Sequence, residues 1–64
     1  MTEQYRMGTL VVTYLKKLNT HPVTIAEAVT DENYKQSYQL ITENPQITKE
    51  EFLEKMGIEE EEDT

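Results

Sequence analysis

A stripe of apolar residues near the amino terminus constrains the fold of this chain more than any other feature. Its members recur at intervals of three and four residues, which places them within an arc of about 140° on a helix with 100° per residue. An arc of this width is broader than a coiled-coil seam and is typical of a helix that faces a core. The residues of this amino-terminal stripe are Met7, Leu10, Val11, Tyr14, Leu15 and Leu18.

A strand is the competing interpretation for part of this segment, because Thr9–Tyr14 is rich in β-branched residues. Strict alternation would place Val11 and Leu15 on the face opposite to the other apolar side chains. The helical spacing accounts for more of the apolar positions. We therefore expect a helix over Glu3–Leu18, with Asn19 as the residue that ends it.

Prolines and capping residues divide the middle of the chain. Residues 19–22 read Asn-Thr-His-Pro, which predicts a break, since proline disfavours the helical conformation in the residue before it. Thr24 and Glu27 have capping-box spacing and predict the start of a short helix. A second start is expected at Thr30, and the helical pattern ends near Asn44. The pattern leaves open whether residues 24–44 form one bent helix or two short ones.

The last helix has well-marked ends. Thr48 and Glu51 form a second capping box, which predicts the helix start. Gly57 suits the left-handed conformation that closes a helix, and Ile58 then lies where it can pack back toward Leu53.

The size and composition of the chain limit what it can do. With 64 residues it forms one domain at most, and a core of this size is usually supplemented by disulfides, a metal or self-association. The chain has no cysteine and a single histidine, so disulfides and an ordinary zinc site are not expected. We predict an all-α compact bundle of three or four short helices over residues 1–58. No apolar run is long enough for a membrane span, and we expect an intracellular, cytoplasmic protein.

The negative charge is concentrated at the carboxyl terminus. The net charge is −7, but five of the 13 acids lie in Glu59–Asp63, so residues 1–58 carry eight acids against six bases. A run of like charges without apolar residues cannot repay the entropy of ordering, which predicts a disordered acidic tail over residues 59–64. This charge also makes a nucleic-acid partner unfavourable.

Two segments resemble parts of DNA-binding domains. The segment Ile47–Ile58 resembles the first helix and turn of a repressor-type helix-turn-helix, over 12 of the 64 residues, although Leu53 stands where that family usually has alanine. In that family a recognition helix follows the turn, whereas here the acidic run follows. Thr24–Val29 resembles the opening of such a helix pair, with Thr30–Tyr38 as the second helix. The acidic start of that second helix would face the phosphates, so like charge opposes DNA binding.

Few side chains point to catalysis or to a ligand. His21 would be the default general base, but it lies beside a proline with no neighbouring nucleophile, and we interpret it as an exposed turn residue. Tyr34 and Tyr38 lie one turn apart and suit either an aromatic platform or the core face of a helix; continuation of that face by Ile41 favours the core. We therefore expect no enzymatic activity, no catalytic residue, no metal site and no cofactor.

The breadth of the amino-terminal stripe indicates an interaction surface. Its six residues need more covering than the short remaining helices offer, and surplus apolar surface usually marks an interface. We expect a non-enzymatic protein-protein interaction module that self-associates, as a homodimer, with the whole stripe as its candidate interface. The alternative is a small acidic regulatory protein that binds a basic surface on a nucleic-acid-binding partner, and a DNA-binding role comes third.

Overall fold

Four helices make up the structure, a computed structural model that describes residues 2–60. They are α1 (Glu3–Lys17), α2 (Pro22–Ala28), α3 (Tyr34–Glu43) and α4 (Lys49–Met56). Residues 2–60 contain no strand. The predicted all-α bundle is therefore confirmed, and the strand alternative for Thr9–Tyr14 is wrong.

Both ends of α1 are closed by local hydrogen bonds. At its start the side chain of Thr2 accepts from the backbone N–H of Tyr5, at 3.2 Å. At its end Asn19 adopts the left-handed conformation, with a φ of 60°. This turn lets the N–H of Thr20 donate to the carbonyl of Leu15 at 3.1 Å, the long bond of a Schellman motif. Asn19 therefore ends α1, as predicted.

The start of α2 differs from the prediction. The helix begins at Pro22, whose fixed φ suits the first turn, and His21 is its capping residue. Nδ1 of His21 accepts from the backbone N–H of Val23 at 3.1 Å. Thr24 is inside the helix and fully buried, so the predicted cap at Thr24 is wrong. The expectation that His21 is a merely exposed turn residue is wrong too, since its side chain is half-buried and holds the helix start.

The region that could have been one bent helix forms two. After α2, Thr30 begins a turn in which its carbonyl accepts from the N–H groups of Asn33 and Tyr34, at 3.0 and 2.9 Å. The side-chain amide of Asn33 donates back to the carbonyl of Glu27 at 2.9 Å. Because these bonds hold the segment as a turn, α3 begins at Tyr34 and not at Thr30 as predicted.

The ends of α4 agree with the prediction. The hydroxyl of Thr48 accepts from the N–H of Glu51 at 3.2 Å. Gly57 has a φ of 71°, and the N–H of Ile58 donates to the carbonyl of Leu53 at 3.0 Å. These are the bonds of a capped start and of a Schellman end.

The core lies against the carboxyl-terminal half of α1. Helix α1 packs against α2 and α3, and α3 packs against α4. The buried hydroxyl of Ser37 donates to the carbonyl of Ala28 at 2.7 Å, which ties α3 to the end of α2. The buried apolar side chains are Val11, Leu15, Ile25, Ala28, Ile41, Ile47, Phe52 and Leu53.

One acid of the carboxyl-terminal run contacts the last helix. Glu60 contacts Nζ of Lys49 at 2.6 Å, and this hydrogen bond raises the pKa of Lys49 above its usual value. Glu59 and Glu60 are both exposed. The rest of the predicted acidic tail, residues 61–64, lies outside the described residues. A disordered tail from residue 59 therefore stays a prediction, as does the domain boundary at residue 58.

The two glycines offer a matched test of the helix assignments. Gly8 lies inside α1, and a Cβ there would meet no atom within 4 Å, whereas the φ of Gly57 is strained for any other residue. We expect Gly8→Ala to raise the free energy of unfolding by about 0.5–1 kcal/mol and Gly57→Ala to lower it by about 1 kcal/mol. Urea unfolding at a fixed, low protein concentration measures both. Destabilisation by Gly8→Ala would contradict the α1 assignment.

Candidate interaction surface on the first helix

The structure covers part of the amino-terminal stripe with the chain's own helices. Val11 and Leu15 have no exposed surface, so neither offers a contact to another molecule in the folded chain. Tyr14 and Leu18 are half-buried and pack against the core. The use of the stripe as an interface stays a prediction for its accessible members.

The first two turns of α1 extend beyond the core. Among residues 3–10 no side chain is buried, and the first buried residue of the helix is Val11. We call residues 3–10 the amino-terminal overhang. Tyr5 and Leu10 are 62% and 41% exposed, and Met7 is half-buried. The side-chain amide of Gln4 donates to a carboxylate oxygen of Asp31, in the connection between α2 and α3, so an exposed hydrogen bond ties this segment to the domain. Two helical turns without buried side chains are marginal in water, so we expect this segment to be weakly supported.

A line of exposed residues runs along one face of α1. Glu3, Leu10 and Lys17 are each seven residues apart and are all exposed. Residues seven apart on a helix differ by only about 20° in direction. Glu3 lies in the first turn and Lys17 in the last. This exposed seam therefore has an acidic end, an apolar centre and a basic end.

Tyr14 borders the seam and links α1 to the connection between α3 and α4. Its hydroxyl donates to the carbonyl of Ile47 at 2.6 Å, and the carbonyl of Pro45 lies 3.3 Å from the same oxygen. Both carbonyls belong to the connection between α3 and α4. The ring of Tyr14 thus has a fixed position beside the seam.

The opposite side of the overhang borders a shallow groove. It has a volume of about 540 Å³, and Tyr5, Gly8, Val12 and Val29 contribute to its lining. Gly8 leaves open space above the helix at this point. Sequence reasoning missed Tyr5 and Val12 because they lie outside the arc of the amino-terminal stripe.

A second surface feature is an acidic cleft. It has a volume of about 730 Å³ and lies where the carboxyl-terminal end of α4 passes the connection between α2 and α3. Four carboxylates line it, from Glu27, Asp31, Glu32 and Glu59. The sequence shows Asp31 and Glu32 and, separately, the acidic carboxyl terminus, but only the fold brings Glu59 to the cleft beside residues 27–32. Across residues 2–60, no three acidic or histidine side chains are grouped closely enough to hold a metal ion.

The remaining candidate side chains have structural contacts. Tyr38 packs against the core, which agrees with the expectation for that face of α3. Tyr34 is half-buried, and Nζ of Lys35 lies 6.0 Å from the centre of its ring. His21 uses Nδ1 to cap α2, so that nitrogen is occupied by a backbone N–H in this structure.

The resemblance to a helix-turn-helix covers only isolated helices. After α4, the described residues 58–60 contain no helix. Before α3, Asp31 and Glu32 are exposed where phosphates would approach. Neither helix start presents a cluster of basic side chains.

No protein-family model matches this sequence, and neither the curated proteins nor the solved structures contain a significant match to it. The four helices of residues 2–60 are all too short or too polar to cross a membrane.

The hydroxyl of Tyr14 tests how firmly α1 is attached to the domain. We expect Tyr14→Phe to lower the free energy of unfolding by about 0.5–1.5 kcal/mol, because the carbonyl of Ile47 loses its hydrogen-bond donor. Thermal unfolding followed by circular dichroism measures the change. Tyr5→Phe is the matched control, since Tyr5 is largely exposed and should unfold as the unsubstituted chain does. Equal effects of the two substitutions would contradict the assigned role of Tyr14.

Proposed function

We propose that this chain is a non-enzymatic protein-interaction module that associates with a second copy of itself through the exposed side of α1. The observation that carries the proposal is the amino-terminal overhang, residues 3–10. It is a helical segment with no buried side chain of its own, and Leu10 is exposed on the side that would meet the second copy.

Covering the overhang would stabilise both the association and the fold. Each Å² of apolar surface removed from water contributes about 25 cal/mol, and a fully buried leucine about 1.5–3 kcal/mol. The described part of the domain buries only eight apolar residues, and a further three buried residues are polar. A domain this small gains proportionately more from an added interface than a large one does.

A second copy is the simplest partner for such a surface. Most soluble oligomers are homo-oligomers, and the twofold dimer is the commonest, because one patch then serves both subunits. The chain also lacks the cysteines that stabilise many domains of this size. Self-association supplies the missing stabilisation without a ligand.

The proposal predicts that a charge at the centre of the exposed seam separates the copies. We expect Leu10→Glu to raise the dimer dissociation constant at least ~100-fold, because twofold symmetry places the buried charge in the interface twice. Analytical ultracentrifugation over a range of protein concentrations measures the constant.

Val23→Glu is the matched control for Leu10→Glu. Val23 is 48% exposed, close to the 41% of Leu10, but it lies on α2 and away from the seam. Its substitution should leave the dissociation constant unchanged. An unsubstituted chain that stays monomeric at the highest concentration, or equal loss of association in the two variants, would refute the proposal.

A second candidate function is an acidic regulatory protein that binds a basic surface, for example on a nucleic-acid-binding partner. The acidic cleft favours it, because four carboxylates from separate parts of the chain converge there. The charge is also uneven along the chain, since residues 21–64 contain all the acids except Glu3. Facing charges of opposite sign accelerate association, and salt weakens the effect.

This second candidate predicts a local dependence on the cleft. With an oligolysine peptide as the probe, neutralising Glu27, Asp31 and Glu32 by amide substitution should weaken binding several-fold at low ionic strength. The matched control neutralises three acids of α3 and α4 outside the cleft, Glu43, Glu50 and Glu54. Isothermal titration at two salt concentrations compares the variants. An equal loss in both would show that net charge alone, and no cleft site, determines binding.

A further inference from the structure

The arrangement of charges along the exposed seam specifies how two copies would meet. Glu3, Leu10 and Lys17 form a nearly straight line on α1, spaced by seven residues, with opposite charges at the ends. The two charged residues are equally far from Leu10, one on each side, and have opposite charges. A line of this kind is complementary to a reversed copy of itself.

From this arrangement we infer that two copies pair through antiparallel α1 helices, with the two Leu10 side chains meeting on the twofold axis and Glu3 of each copy opposite Lys17 of the other. The inference rests on the proposed self-association and adds its geometry. The contact is isologous, so each ion pair occurs twice.

The opposite orientation is electrostatically unfavourable. A parallel pair would place Glu3 beside Glu3 and Lys17 beside Lys17, and like charges in contact oppose association. It would also align the two helix dipoles in the same direction, whereas the antiparallel pair places each positive end beside a negative one. An exposed ion pair contributes only about 0.2–1 kcal/mol, so these charges select the orientation more than they supply affinity.

The residues beside the seam also match in the antiparallel arrangement. Met7 and Tyr14 lie on the same side of the line through Glu3, Leu10 and Lys17. Reversal about Leu10 brings Met7 of one copy next to Tyr14 of the other. A methionine sulfur at the edge of an aromatic ring makes a favourable contact.

The antiparallel arrangement also covers the Leu10 side of both overhangs. Reversal about Leu10 places residues 3–10 of each copy alongside residues 10–17 of the other. The latter half of α1 is the half attached to the core, through Val11 and Leu15. Residues 3–10 of each copy, which have no buried side chain, therefore lie against the part of the other copy's α1 that is packed on its core.

Introduced cysteines test the orientation directly, since the chain has none of its own. Under mild oxidation we expect Leu10→Cys to form disulfide dimers, and a mixture of the Glu3→Cys and Lys17→Cys chains to form the mixed disulfide. Glu3→Cys alone should form at least tenfold less disulfide dimer, because its two cysteines would lie about 21 Å apart at 1.5 Å per residue. All three positions are exposed, so each chain should keep its helical circular dichroism.

Val23→Cys measures the background of disulfides formed by random collision. The results distinguish self-association itself from its antiparallel orientation. Self-crosslinking of Glu3→Cys at the level of Leu10→Cys would overturn the antiparallel orientation and leave self-association standing. Dimerisation in the ultracentrifuge with Leu10→Cys at the Val23→Cys background would overturn the whole α1 contact. A chain that sediments as a monomer at every concentration would overturn the proposed function together with this inference.

Discussion

The packing of the second half of α1 against the other helices determines the rest of the structure. Val11 and Leu15 are the fully buried residues of α1, and Phe52 from α4 is the largest fully buried side chain. Helices α2 and α3 both pack on α1, and α4 is attached through α3. The core includes Val11 and Leu15 but no residue from 3–10, which a hydrogen bond from Gln4 to Asp31 links to the domain.

Helix ends were predictable wherever one residue decides the backbone conformation. Asn19 and Gly57 adopt positive φ angles that few other residues tolerate, and Thr48 provides the hydroxyl for its helix start. The start of α2 was missed because two capping candidates compete within four residues. Thr24 is the better cap by intrinsic preference, but the fold buries its side chain, and His21 before Pro22 takes the role. Such competition is decided by tertiary packing and not by local sequence.

The candidate surface was predictable only in outline. Periodicity placed Val11 and Leu10 on one broad face, yet Val11 is fully buried and Leu10 is not. These two residues are only about 1.5 Å apart along the helix but about 100° apart around it, and Leu10 lies at the edge of the stripe. Which edge of the stripe stays exposed depends on where α2 and α3 pack around α1, which no local pattern encodes. The acidic cleft was missed because Glu59 joins Glu27, Asp31 and Glu32 along one cleft only in the folded chain. By contrast, the seven-residue spacing of Glu3, Leu10 and Lys17 is visible in the sequence once the exposed face is known.

The proposed self-association implies that the first half of α1 gains support from a second copy and that the second half does not need it. Hydrogen exchange of the backbone amides at low and high protein concentration tests this most directly. We expect protection of residues 7–10 to rise with concentration much more steeply than that of Val11 and Leu15, under conditions in which the core stays folded throughout. Protection of residues 7–10 that is independent of concentration would contradict it.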